Sequence, residues 1–227
     1  MTAGLAESLR HGTRSLHTEV ERSEFMRVLL RGQMERGAYI LLLRNLHALY
    51  ESLEAALVIG RDHALLALLH DPHLFRTAAL ARDLDTLHGP GWSSAIGVQP
   101  ACVSYQIHLQ DLARNAPELL VAHAYVRYLG DLSGGQQLKR IVARSLGLPA
   151  GPAGIAFYDF GDDAQTAALT ASFRERLARL PTGERDIAGI VAEAQDAFGR
   201  HRQLFEQLAM ASLPRAAPAP QDALRDS

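Results

Sequence analysis

Tyr125-Val-Arg-Tyr-Leu-Gly-Asp-Leu-Ser-Gly-Gly-Gln136 has the apolar spacing of a helix around Leu129 and Leu132, yet it puts Gly130, Gly134 and Gly135 inside that helix. Each such glycine costs about 0.8 to 1 kcal/mol relative to alanine, so something must offset a penalty of about 3 kcal/mol. Two readings stand. Small residues let two helices approach closely, and adjacent glycines commonly mark a kink. Alternatively, the main chain lies almost against a flat ligand, where any side chain would collide with it. On a helical wheel Arg127, Gly130, Asp131 and Gly134 share one arc of about 100°, so two bare positions and a carboxylate face the same way. Such a face suits oxygen chemistry: bare backbone leaves room along a flat ring, and a carboxylate anchors waters that deliver protons.

The rest of the chain keeps a helical period. Leu5, Leu9, Thr13, Leu16 and Val20 recur at three or four and share one face, which predicts a first helix over 4–22. Ser23 before Glu24 looks like an N-cap and Gly32 like a stop, predicting a short second helix over 24–31. Tyr39, Leu42, Leu43, Leu46, Leu49, Tyr50, Leu53 and Leu57 form the core stripe of a third helix from Glu35 to Gly60. Further helices are expected at 63–70, 74–88, 100–115, 117–146, 163–179 and 183–210. Gly89-Pro-Gly-Trp-Ser-Ser94 reads as turn chemistry, Gly147-Leu-Pro-Ala-Gly-Pro152 as a loop, and Ile155-Ala-Phe-Tyr-Asp-Phe160 as briefly extended. Strand pairs, repeats and linkers are not evident. The fold class is therefore all-α, a single multi-helix domain over 1–212 followed by a polar, proline-rich tail over 213–227 that is expected to be disordered.

At 227 residues, 48% hydrophobic and 21% charged, the chain has material for one sizeable core. A formal net charge of −2 gives no whole-protein reason to expect nucleic acid, and it leaves room for local basic sites that recognise a small anion. Cys102 is the only cysteine, so no intrachain disulfide is available, and a reducing, cytoplasmic address is the simplest expectation. The start of the chain lacks the apolar core of a secretory signal, and no run approaches the roughly 20 apolar residues of a membrane span.

Neutral imidazole is a common iron ligand, but ten histidines in one chain mean that most do something else. His17 stands out by position. It lies on the flank of the first helix's apolar stripe beside Arg10 and Glu21, so the three line one edge. Glu21, one turn later, is placed to accept a hydrogen bond from the second imidazole nitrogen, directly or through water. Arg10 lies about 10 Å back along the axis, within reach of a carboxylate on a ligand centred over His17. The plainer reading of the same three residues is a half-buried histidine between two solvated charges. A non-heme di-iron centre is disfavoured, because no Glu-x-x-His occurs and Asp85-Thr-Leu-His88 is the only acidic analogue.

Leu16-His-Thr-Glu-Val-Glu-Arg-Ser-Glu-Phe-Met26 and Ala122-His-Ala-Tyr-Val-Arg-Tyr-Leu-Gly-Asp-Leu-Ser-Gly-Gly-Gln136 resemble the proximal and distal helices of heme oxygenases, the second with high specificity. Gly32-Gln33, Gly154-Ile-Ala-Phe-Tyr158 and Gln203-Leu-Phe-Glu206 extend the resemblance to about residue 210. It implies heme sandwiched between a proximal helix and a kinked distal helix. It also implies an enzyme that opens the porphyrin to biliverdin, ferrous iron and carbon monoxide. Heme b, with its iron, would be substrate and cofactor at once, and dioxygen the co-substrate.

Residue by residue, the resemblance implies that His17 ligates the iron, with Glu21 as its carboxylate partner and Thr13, Val20 and Met26 on the same side. Gly130 and Gly134 would contact the distal face and Asp131 would hold the catalytic water network, with Arg127, Ser133 and Gly135 in the same kinked stretch. Arg10, Tyr125 and Arg174 match the propionate-binding positions, and Thr170 stands where the family commonly has a second basic residue. Tyr125 falls off the glycine arc, so its contact depends on helix curvature. Phe198 and His201, on the last helix's stripe, match pocket-wall positions, and for His201 a satisfied core histidine is an equal reading. No flavin or nicotinamide motif is present, so electrons are expected from a ferredoxin or a flavin/NADPH reductase. The polar tail resembles the soluble bacterial type, with no membrane anchor and no nucleic-acid partner. That type serves iron release from heme or supplies a bilin to a bacteriophytochrome. A heme carrier or sensor without turnover is the rival reading, and the intact Asp131 argues against it.

Overall fold

The computed structural model describes residues 4–213, so the expected tail lies, from Pro214 onward, outside the described residues. Among the described residues every regular element is helical. α1 (Leu5–Glu21) and α2 (Glu24–Leu30) are separated by Ser23, whose side chain accepts from the Met26 N–H as the sequence leads one to expect. α3 (Arg36–Ile59) is the central helix, and every member of its core stripe from Tyr39 to Leu57 is buried. α4 (Ala64–Leu69), α5 (Thr77–Leu87), α6 (Trp92–Ala95) and α7 (Pro100–Asn115) follow, with α5 and α7 packed against α3. α8 (Leu120–Ala124) leads into α9 (Gly130–Ser145), and then come α10 (Asp163–Ala178) and α11 (Glu184–Ser212). Asp162 and Gln165 close a reciprocal capping box at the start of α10, with bonds of 2.8 and 2.9 Å. α11, the longest helix, lies along α1 and also touches α2, α3, α7 and α8. No described helix is long and apolar enough to cross a membrane.

Three segments differ from the sequence expectation. The helix expected over 117–146 is not one α-helix: a 3-10 turn at Pro117–Leu119 precedes α8, and Tyr125–Leu129 is wound as a π-helix before α9 resumes. The irregularity therefore falls in the turn before the glycines, where an i→i+5 bond pattern widens the coil. Residues 89–94 are not all turn, since Gly91 at φ 87° starts the short α6 and the Trp92 indole donates to Asp85 at 2.9 Å. The stretch expected to be extended, 155–160, contains a 3-10 turn over Ala156–Tyr158. Asp83 is the cause: its two oxygens accept the Ala156 and Phe157 N–H groups, each at 2.7 Å, and so fold the chain back on itself.

Asp83 is completely buried, and burial pushes its carboxyl up to about 6 against the pull of the Phe157 and Ala156 N–H groups. A carboxyl with a raised folded pKa holds its proton more tightly in the native state. The folded state therefore loses stability as pH rises from about 4 to above 6, by up to about 3 kcal/mol. Asp83→Asn, which cannot ionise, is expected to be less stable throughout because one N–H loses its acceptor. Its stability should also fall less than that of the unaltered protein between about pH 4.5 and about pH 7.5. Urea unfolding at the two pH values checks this, and equal pH dependence in both proteins would refute it.

Candidate functional site

A cleft separates α1 from the π-wound stretch and α9. Its deep part has a cavity volume of about 190 Å³ and its outer part about 540 Å³, both open to solvent. The two share His17, Glu21, Val126, Gly130, Gly134 and Phe198 as walls and so form one slot. The deep part is apolar, with Val20, Met26, Leu29, Leu42, Leu46 and Phe157 among its walls. The mouth adds polar and basic side chains to an apolar wall, with Arg10, Thr13, Arg14, Thr18, Tyr125 and Ser133 around it. This division suits a flat apolar body that carries anionic groups at one edge.

The proximal wall belongs to α1. The His17 side chain is 54% exposed, more open than the half-buried alternative, and its Nδ1 lies 3.6 Å from Glu21 Oε2. That separation is too long for a direct hydrogen bond. The edge of the Phe198 ring meets the His17 ring at 5.9 Å between centroids, which limits its tilt.

The opposite wall separates the two readings of the glycines. Gly130 has ordinary helical angles, φ −61° and ψ −48°, so no backbone conformation there requires glycine. A Cβ built on Gly130 or Gly134 would meet nothing within 4 Å, which rules out close helix packing as their reason. They present bare main chain to the cleft. Gly135 is different: its Cβ would sit 3.5 Å from Tyr158, and the residue is buried off the cleft, so the expectation that it faces the ligand is corrected to a packing role. The π-wound turn also explains Tyr125. Widening the coil changes its phase relative to Gly130, and it joins the mouth despite falling off the ideal wheel.

Beneath the bare turns lies a charged network. Asp131 is buried; its Oδ2 accepts from the Tyr50 hydroxyl, and its Oδ1 accepts from Arg127 Nη2 at 3.1 Å. Arg127 Nε also donates to the Tyr50 oxygen at 3.0 Å, and the guanidinium lies 5.1 Å from the Tyr50 ring centre. Burial raises the Asp131 pKa, with Arg127 and Tyr50 working against it. Tyr50 was invisible as a site residue because it sits within the apolar stripe of α3. Its only signal was a phenol, which needs a partner when buried.

His201 also lines the deep part, is 2% exposed, and has neither ring nitrogen hydrogen-bonded, so the satisfied-core reading fails. Burial, then Arg127 and His123, hold its pKa well below the usual imidazole value, so it is neutral. Arg174 is exposed on α10 and is not among the cleft walls, contrary to the sequence expectation. Thr170 is occupied with a 2.7 Å bond to the Thr166 carbonyl. Arg14, missed in the sequence reading, takes a place at the mouth instead. Its signal was available, since it lies one turn after Arg10 and three residues before His17.

An imidazole facing side-chain-free backbone across an apolar slot with a basic mouth defines a class of helical protein that holds a flat, anionic, metal-bearing ring. The family model described as heme oxygenase matches residues 3–207. Heme oxygenase 2 of Synechocystis sp. is 42% identical over 210 residues, covering 90% of this chain and 82% of the relative. Human heme oxygenase 1 is 38% identical over 209 residues, 92% of this chain and 73% of the relative. The crystal structure of Synechocystis heme oxygenase-2 with heme and NO superposes with a TM-score of 0.88 at 40% identity, covering 92% of this chain and 86% of that one. The heme oxygenase structure from Leptospira interrogans gives 0.87 at 35% identity, covering 90% and 100%. The chain belongs to the heme oxygenase family, and it is an enzyme that degrades heme by oxidative cleavage.

The open space over Gly130 has a measurable consequence. Gly130→Ala should stabilise the heme-free protein by up to about 1 kcal/mol, through helix propensity alone. The same methyl should weaken heme binding by about 1–3 kcal/mol, because it enters the slot. Urea melts and hemin titration of one preparation check both signs. A variant that binds heme as well as the unaltered protein would contradict the role given to the bare turn.

Proposed function

We propose that His17 is the imidazole that would hold the iron of heme in this cleft, and that Asp131 would hold the water that supplies protons from the other wall. The observation that carries the reading is the pairing of His17 with the bare Gly130 and Gly134 turns across one apolar slot. Bound heme supplies the redox-active iron and the ring carbon that is oxidised. The protein's part is orientation, exclusion of water and proton supply.

Glu21, 3.6 Å from His17 Nδ1, orients the ring. Arg10, Arg14 and Tyr125 at the mouth meet the propionates, which fixes the rotation of the ring in its plane. Leu29, Leu42, Leu46 and Phe157 keep bulk water from the apolar body. Asp131 has about four lone-pair sites, of which Tyr50 and Arg127 use two, so the others are open to water on the cleft side. Arg127 holds this carboxylate in place, and Tyr50 ties it to the core of α3.

Within the same reading, residues 1–212 act as one domain, and electrons come from a separate donor, a ferredoxin or a flavin/NADPH reductase, docked at the open mouth. The products are biliverdin, carbon monoxide and ferrous iron, which serve iron release or bilin supply to a bacteriophytochrome. The site of action is the cytoplasm. The single cysteine and the lack of any described membrane-spanning helix support that address.

Two variants test the assignment. His17→Ala should lose the axial ligand, seen as an altered Soret band on hemin titration, and should abolish biliverdin formation. Asp131→Ala should bind hemin within a few fold of the unaltered protein and lower the yield of biliverdin at least about tenfold. An unchanged yield from Asp131→Ala would remove its assigned role. A chain that binds hemin yet forms no bilin with any reductant would instead be a carrier.

A further inference from the structure

Outside the cleft, α7, α8 and α11 bring two imidazoles and a carboxylate to one point. His108 Nε2 and His123 Nε2 lie 2.7 and 2.8 Å from the same atom, Oε1 of Glu193. The three possible ligand atoms fall within 4.8 Å of one another. Asp196 Oδ2 is 3.7 Å from His108 Nε2 on the exposed side, where Arg200 also holds it. None of these residues lines the cleft. We propose that His108, His123 and Glu193 form a binding site for a divalent first-row transition-metal ion, with Asp196 at its entrance.

Two histidines and one carboxylate on three separate helices are the ligand set typical of ferrous iron with open positions, and they also suit zinc. The arrangement closes without a metal only if both imidazoles donate to one carboxylate oxygen. Replacing those shared protons by a cation turns both Nε2 lone pairs and Oε1 toward a common centre. Metal–ligand bonds of about 2.0–2.2 Å set neighbouring ligand atoms about 3–3.5 Å apart, so Glu193 Oε1 must back away from each nitrogen by roughly half an ångström, a shift that side-chain rotation supplies.

The outer partners fit as well. The Tyr105 hydroxyl lies 2.7 Å from His123 Nδ1: without a metal it donates to that nitrogen while Nε2–H donates to Glu193, and with a metal on Nε2 it turns to accept the proton then carried by Nδ1. His123 is wholly buried, whereas the side chains of His108 and Asp196 are 23% and 48% exposed, so an ion enters past those two and stops on His123.

The location gives the site a supply of metal. His201 lines the heme cleft, its ring lies 5.3 Å from that of Tyr105, and the Tyr105 ring lies 5.3 Å from that of His123. Two side chains thus separate the cluster from the place where heme cleavage frees ferrous iron. Only this source of iron rests on the function proposed above; the coordination does not.

The test therefore leaves heme out. The heme-free, full-length chain is titrated anaerobically with ferrous iron, alongside His108→Ala, Glu193→Gln and His17→Ala, with circular dichroism to verify folding. One equivalent should bind to the unaltered chain and to His17→Ala, and at least about tenfold more weakly to the other two. His108→Ala removes a partly exposed ring and so keeps the fold even if Glu193→Gln does not. Anomalous diffraction from an iron-soaked crystal should place the ion between the three ligand atoms. No uptake by the unaltered chain, uptake untouched by His108→Ala, or uptake lost in His17→Ala would each overturn the proposal. Failure of heme turnover in a chain that still takes up iron here would count against the cleft assignment alone.

Discussion

Helices left to pack freely close to about 8–10 Å between axes, so a slot lined by leucines stays open only if each wall rests on something else. In this chain the two walls have separate supports. α1 lies along α11, the longest helix. α9 is fastened to the segment 156–160 by two contacts in succession: Gln136 Nε2 to the Tyr158 carbonyl at 3.2 Å, and Lys139 to Asp159 at 2.9 Å. That segment is in turn fixed to α5 by Asp83 and to Arg76, whose Nη1 donates to the Asp159 carbonyl at 2.9 Å. The position of the bare glycine turn is thus set from behind, by buried polar groups that never touch the ligand. Loss of any of these fastenings would let the distal wall sink or swing.

The same logic governs the charges. A carboxylate taken out of water costs several kcal/mol unless it is paired and hydrogen-bonded where it stands. Asp131 is paired within its own helix by Arg127 and across the core by Tyr50, so the distal wall is tied to α3 by chemistry as well as by packing. Arg127 in turn lies over the Tyr50 ring, which leaves the guanidinium little freedom. The π-wound turn is part of this device: it carries Tyr125 toward the mouth while Arg127 keeps its i,i+4 relation to Asp131.

Most of the helices were legible because burial imposes a period of three or four on leucines, as in α3, where the whole stripe from Tyr39 to Leu57 is buried. His17, Arg10 and Glu21 were legible because position on a straight helix follows from residue number. What escaped was anything that depends on a partner distant in sequence. Tyr50 reads as core until Asp131, 81 residues away, is seen beside it. Residues 155–160 read as extended until Asp83 is found taking their N–H groups. Gly134 and Gly135 are neighbours of one type, and only the emptiness over the first and Tyr158 behind the second tell them apart. Arg174 was carried over from a family pattern, and its exposed place on α10 leaves the mouth to Arg10 and Arg14.

A few residues around the slot share a further property: each is worse for the stability of the heme-free chain than an ordinary alternative. Gly130 and Gly134 forgo about 0.8–1 kcal/mol of helix propensity apiece although alanine would fit there. His201 places an imidazole at the slot with no hydrogen bond to another described residue. Asp131 puts a carboxyl into the interior, where burial raises its pKa. Such departures persist only where something compensates for them, and a ligand that binds the folded state alone is the compensation mass action allows. A chain selected for stability alone would have filled this slot; that it is kept bare and polar beneath argues that occupancy by a flat ring is what the fold is built to permit.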